Sequence, residues 1–600
     1  MQKPISRRYS PSFVFLLSLT LLLTSRELRA QSTVLGDPLT GNGSVARTLL
    51  IYKDLMQGVG TAPVDDSAFA LPQNSAPSPH DFAGRLTLKG VATSGGFRAV
   101  TDLYGYSAIE QRKHLPPFDF AFVQSGSHLI PVQQGLFYTG HPYWNYLLGA
   151  GRVWKEKSDS GWSRCAIPFA LVQRNQNAVH RGSLTFLFNG KSVSNVRYQI
   201  TQETCTWFKF DMWGQVSAKY TAALPANAVT LKESYAQEVK SRIPTKPLTD
   251  LPKDYPDSKV DITVFGRGIS PAHRTAYGFF INGTHYVGTQ PTRYGVYPFP
   301  AELRLPSFSI AKSALASVAL MRLAQRYGDA VADLNIKDYL PEAATSRGDW
   351  KQVTFNHALD MATGNYDSAS YLADENSLSM SQSFFLKETY QDKMKGALDA
   401  PNRTAPGKQW VYRTADTFIA TTAMNSLLRK RVGANSDLFQ MLCADVYTPL
   451  DLSAGAMSTL RTDNSPTGKA LGGYGLFVTP DDVLKIAKLL NNDGGKIGGV
   501  QVLSPRILAA ALQKDPNDRG MNIPAYTLKY NNGFWAYQMT PQLYPALKSP
   551  IWAVWMSGFG GIAVLLMPNG TTYYHFSDFN EFPSIVPYVL ESHKLISQTP

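Results

Sequence analysis

The 600-residue chain is short of cysteine, of charge and of long apolar runs, and each shortage excludes something. Its three cysteines, Cys165, Cys205 and Cys443, form no C-x-x-C pair, and no H-E-x-x-H occurs, so the sequence offers no zinc-site pattern. No cofactor motif stands out either, and the expectation is a protein that uses neither metal nor organic cofactor. The G-x-S-x-G elbow of an α/β-hydrolase is missing. Charged residues make up 17% of the chain and leave a net charge of +13, but no dense Lys/Arg block accompanies the excess. A nucleic-acid partner is therefore not expected, whereas a diffuse positive surface suits anionic envelopes or substrates.

Long apolar runs are scarce. Phe13 to Leu23 is apolar, follows Lys3, Arg7 and Arg8, and precedes "LRAQ". This is the pattern of an export signal over residues 1–30, cut after Ala30. The run is shorter than the roughly 20 residues of a membrane helix, and no cysteine follows for lipid attachment. The expected address is periplasmic or secreted. A second run, "IWAVWMSGFGGIAVLLMP" at 551–568, is interrupted by Ser557 and three glycines, with β-branched residues on both sides. Two buried strands joined at "GFGG" fit it better than a membrane span. No transmembrane domain is expected beyond the signal segment.

What is present is ample for burial: 44% hydrophobic residues, too many positions for one core. Residues 44–57 read as one helix. From about 82 to 222, segments such as "GSLTFLFNGKSV" alternate apolar and polar residues between turns, the strand signature. Residues 31–240 are thus expected to hold an N-terminal all-β module, a sandwich or barrel. Its aromatics (Tyr138, Tyr143, Trp144, Trp154, Trp162, Trp207, Trp213) are better explained by core packing than by a glycan platform. Cys165 and Cys205 lie in this stretch and are expected to pair in an oxidising compartment, leaving Cys443 free in a helix. The proline-rich, charged stretch 241–260 reads as a linker. In 261–600, Asn282-Gly283 marks a hairpin, helical periodicity runs from Ser307 to about 515, and strands return between 526 and 578. Strands at both ends of a helical insertion predict one α+β unit, an antiparallel sheet with a helical subdomain.

Within "RLPSFSIAKSALASVALMRLA", residues 304–324, Ser309 and Lys312 interrupt an apolar helical pattern. Residues three apart share a helix face. A serine hydroxyl needs a base before it attacks. Ile310, Ala311, Ala314, Leu315 and Val318 would desolvate Lys312, lower its pKa and make it such a base. Ser309 also stands near the helix N-terminus, where backbone N–H groups favour developing negative charge. A helix cap with a snorkelling lysine is the plain alternative.

"LPSFSIAKS" resembles the nucleophile motif of the serine β-lactamase and penicillin-binding-protein superfamily, and most of all its class C β-lactamase branch with the related esterases and 6-aminohexanoate-dimer hydrolases. Tyr412 in "GKQWVYRTADTF" resembles the Tyr of the branch's Y-x-N motif, about a hundred residues on. Met556-Ser557-Gly558 occupies the place of the K-T-G motif on a late strand. "VTFNHALDMATGNYD" and "LGGYGLFVTPDDVLKIAKLLNNDG" are similar to supporting stretches, so the likeness runs from about 270 to 595. It implies that Ser309 is acylated, that Lys312 and Tyr412 share proton transfer, and that the N–H groups of Ser309 and Phe559, beside Gly558 and Ser557, form an oxyanion hole.

Two departures carry information. Thr414 replaces the Asn of Y-x-N. Met556 replaces the cation that holds a substrate carboxylate in β-lactamases and D,D-peptidases, unless Arg413 substitutes for it. The expected function is an exported serine hydrolase, carboxylesterase- or amidase-like, acting on a small-molecule or peptide ester or amide. The alternatives are a peptidoglycan D,D-peptidase or β-lactamase, or a non-catalytic relative that binds envelope material. Among other candidates, His357 reads as structural, Asp481-Asp482 after Thr479-Pro480 as helix capping, and Tyr366 and Asp367 as cleft or plain loop.

Overall fold

The β-propensity of residues 83–222 is realised in an antiparallel sheet of 12 strands. The computed structural model describes residues 39–92, 95–524 and 526–597, so the expected signal over 1–30 lies outside them. Four long neighbouring strands, Ser163–Gln173, Val179–Phe188, Val196–Thr204 and Phe208–Val216, form its centre. They are buried almost along their whole length, so both faces are covered. One face packs Phe82, Trp144, Phe186, Tyr198 and Phe210 into an aromatic core. From the other, Ala166, Ala170, Val172 and Val179 join the core that also holds Leu305, Phe308 and Ile310. Several charged residues on and around these strands are paired, as buried charges tend to be. Arg164 meets Asp159 at 2.7 Å, and Arg293 meets both Glu203 and Asp211 at 2.6 Å.

Two sequence expectations fail in this region. Only Tyr52–Gln57 of the 44–57 stretch is helical. Cys165 and Cys205 are both free and buried. Cys165 stands opposite Phe186, near the end of the sheet where Thr185 pairs with Arg197, whereas Cys205 follows Thr204, which pairs with Val179 at the other end. One intervening strand and most of a strand length separate them, well beyond disulfide reach.

A second sheet has nine strands, and three two-stranded pairs complete the described strands. Arg274–Ile281 and Thr284–Val287 come from early in the chain, and Thr572–Ser577, Ile562–Leu566, Ile551–Gly558 and Phe534–Met539 from late. The early hairpin turns at Asn282 and Gly283, with φ of 49° and 78°, the left-handed pair a tight turn needs. The proline-rich stretch adds Thr245–Pro247 parallel to Thr284–Val287 and buries Leu248 and Leu251. Between the two strand groups lie the helices, among them Val318–Tyr327, Thr414–Val432 and Pro480–Asn491. Among the described residues no helix is long and apolar enough to cross a membrane.

Candidate active site

The approach to Ser309 is a short strand, Leu305–Pro306, paired with Phe477–Val478. Phe308 then adopts φ of 40°, a left-handed conformation that costs a bulky residue about 1–3 kcal/mol and persists only where the surroundings enforce it. Ser309 follows at the head of the helix, partly exposed, while Lys312 is buried. From Lys312 to Ser317 the helix widens into a π-helical segment, a feature frequent at functional sites. Ser317 Oγ donates to the Lys312 carbonyl within the segment at 2.9 Å, and Ser313 Oγ ties the segment to the Gly533 carbonyl at 2.7 Å.

Lys312 Nζ lies 2.8 Å from Ser309 Oγ, 2.7 Å from Thr414 Oγ1 and 3.3 Å from the Gly473 carbonyl oxygen. All three are neutral oxygens. Burial therefore lowers the lysine pKa to about 8, opposed by the negative charge of Glu375. The Tyr412 ring lies 4.8 Å from Nζ. Burial, with the Glu375 charge, raises the Tyr412 pKa far above its ordinary value, although the Ser309 side chain acts to lower it. The phenol therefore stays protonated.

Glu375 had no signal in the sequence. Its carboxylate accepts from the Thr414 backbone N–H at 2.8 Å and from Thr414 Oγ1. The hydroxyl of Thr414 thus accepts from Lys312 and donates to Glu375, a three-membered relay where the resemblance implies an asparagine. An acidic loop residue becomes recognisable only once the fold carries it to the first turn of Thr414–Val432, where the helix dipole also favours a carboxylate.

The late strand Ile551–Gly558 runs against the nucleophile loop: a Cβ on Gly558 would lie 2.9 Å from the Ser307 carbonyl oxygen. A side chain there would displace that loop. Ser557 is partly buried, and Phe559 is 42% exposed with its ring 5.6 Å from that of Phe308. The N–H groups of Ser309 and Phe559 have no acceptor among the described residues. Met556 is buried in the core. Arg413, the candidate replacement cation, is consumed by Asp374 at 2.6 Å and Asp416 at 3.4 Å, all with buried side chains.

His357 lies in the capping box of its helix with Thr354, and Asp482 caps Pro480–Asn491 with Thr479. Tyr366 and Asp367 lie on a loop. Among the described residues no cluster of His, Cys, Asp and Glu is suited to hold a metal ion.

No protein-family model matches the chain, and no curated protein does. Solved structures do. One is a Bacillus anthracis protein provisionally described as a 6-aminohexanoate-dimer hydrolase, 18% identical, covering 58% of this chain and 81% of that one with a TM-score of 0.39. EstCE1, a hydrolase with promiscuous acyltransferase activity, is 16% identical over 60% of this chain and 99% of its own, TM-score 0.39. A class C β-lactamase is 13% identical over 62% and 97%, TM-score 0.36. These overlaps are partial, and the chemistry of the site stands on the side-chain geometry.

Proposed function

We propose that the protein is a serine hydrolase that acylates Ser309 and acts on uncharged esters or amides. The observation that carries this reading is Lys312 Nζ, buried, with a pKa near 8, at 2.8 Å from Ser309 Oγ. An amine so placed takes the hydroxyl proton while Oγ attacks the carbonyl carbon. The negative oxygen then meets the unengaged N–H groups of Ser309 and Phe559. Tyr412, protonated and beside Lys312, hands a proton to the leaving alcohol or amine as the bond to it breaks, and is refilled from Lys312. Water repeats the sequence on the acyl-enzyme and frees the acid.

The surroundings favour an uncharged substrate. Met556 is buried, Arg413 is already paired, and Glu375 adds negative charge near the nucleophile. A substrate carboxylate would find repulsion there. Aromatic rings flank the site instead. Phe308, Phe559 and Trp207 form one cluster, with ring separations of 5.6 to 6.2 Å. Tyr412 leads through Trp410 and Tyr371 to Tyr526, which is 53% exposed. Apolar acyl or leaving groups fit such walls. The basic, apolar leader of the sequence supports export, and the 12-stranded sheet is read as an N-terminal module of the exported protein.

The test is turnover of a short-chain p-nitrophenyl ester beside a chromogenic cephalosporin, for the protein and for Ser309→Ala. The expected result is ester hydrolysis that falls on the order of 10⁴-fold or more in the variant, with the cephalosporin untouched. Cephalosporin turnover would favour the β-lactamase alternative. Equal behaviour of the two proteins on both compounds would favour the binding relative.

A further inference from the structure

Asn177 belongs to the large sheet, in the turn between Ser163–Gln173 and Val179–Phe188, yet its side chain reaches the nucleophile loop. It is buried. Its Oδ1 accepts from the Phe308 N–H at 2.7 Å, the Gly475 N–H at 3.0 Å and Ser307 Oγ at 3.1 Å. Its Nδ2 donates to the Leu476 carbonyl at 3.2 Å. Two backbone N–H groups on one oxygen fix which way the amide points. One side chain thereby joins the two residues before Ser309 to the glycine-rich stretch whose Gly473 carbonyl receives Lys312.

Phe308 carries the left-handed backbone that sets the entry angle of Ser309, and its own N–H is the one Asn177 holds. Without that acceptor Phe308 has every reason to relax to ordinary φ, which would swing the Ser309 N–H and Oγ away from Lys312. We propose that Asn177 is a positioning residue for the nucleophile, and that the large sheet thereby forms part of the catalytic apparatus. The inference rests on the reading of Ser309 as the nucleophile.

The experiment compares wild type with Ser309→Ala, Asn177→Ala, Asn177→Asp and Arg174→Ala, measuring kcat and KM on a p-nitrophenyl ester and the rate of Ser309 labelling by a fluorophosphonate. Arg174 lies in the same turn and ties it to Glu388 at 2.9 Å, a contact that does not reach the nucleophile. In Asn177→Ala both kcat and labelling rate are expected to fall about 10- to 100-fold with KM little changed. Asn177→Asp, which keeps the acceptor oxygen, is expected between that variant and wild type. Arg174→Ala is expected to keep the wild-type kcat. Wild-type kcat in Asn177→Ala, or an equal fall in Asn177→Ala and Arg174→Ala, overturns the inference. If Asn177→Ala does not fold, Asn177→Asp decides: a lowered kcat at unchanged KM supports the role, and wild-type kcat overturns it. Turnover that survives Ser309→Ala instead removes the underlying reading, whatever Asn177 does.

Discussion

At the scale of the residue, the chemistry turns on an amine that meets only neutral oxygens. A group of pKa about 8 that must be deprotonated to work gives an activity that rises with pH. The expected kcat/KM profile therefore has an ascending limb centred near 8. Glu375 favours the ammonium form, so Glu375→Gln lowers the Lys312 pKa and moves the limb to lower pH. A limb that stays in place or moves to higher pH would show that the carboxylate does not act on the amine. The proximity of Ser309 and Lys312 is legible in the sequence because one helical turn fixes it. Thr414 is legible as a departure from a motif. Glu375 and Asn177 are not, since each reaches the site from a loop or turn whose position only the tertiary fold determines.

At the scale of the element, the π-helical segment Lys312–Ser317 is pressed by the turn between Leu528–Asn531 and Phe534–Met539. Gly533 in that turn has φ of 83°, and a Cβ on it would come within 3.0 Å of the Lys312 carbonyl carbon. Gly533→Ala therefore meets both a backbone penalty and a steric one. It is expected to cost about 1–3 kcal/mol of stability and to lower kcat through displacement of Lys312. Thermal melting and ester turnover check this, and an unchanged Tm would contradict it. Local chemistry also decides what was readable among the elements. Asn282-Gly283 dictates its own turn geometry and was readable. The register of the long strands was not, which is why the placement of Cys165 and Cys205 at opposite ends of the sheet had to come from the structure.

At the scale of the molecule, residues of the large sheet and of the nucleophile helix share one hydrophobic core. Lys209 on the 12-stranded sheet also pairs with Asp578, just after the nine-stranded sheet's strand Thr572–Ser577, at 2.7 Å with both side chains nearly buried. Burial already raises the Asp578 pKa to about 7 against the pull of Lys209, so without the lysine the acid must take up a proton or stand unpaired, a change that costs stability. Lys209→Met is accordingly expected to lower the melting temperature, and the wild type to unfold in one cooperative transition seen alike by calorimetry and tryptophan fluorescence. Two well-separated transitions would contradict the shared core. The proline-rich composition of 241–260 suggested a linker; that Leu248 and Leu251 are buried depends on partners far away in sequence.

The central claim, that Ser309 is the nucleophile, is tested most directly by mass spectrometry of the intact protein after reaction with a fluorophosphonate, followed by peptide mapping. The account predicts one adduct per chain, on Ser309, lost in Ser309→Ala and formed far more slowly in Lys312→Met. An adduct on another residue, or none under conditions where the ester is hydrolysed, would contradict it.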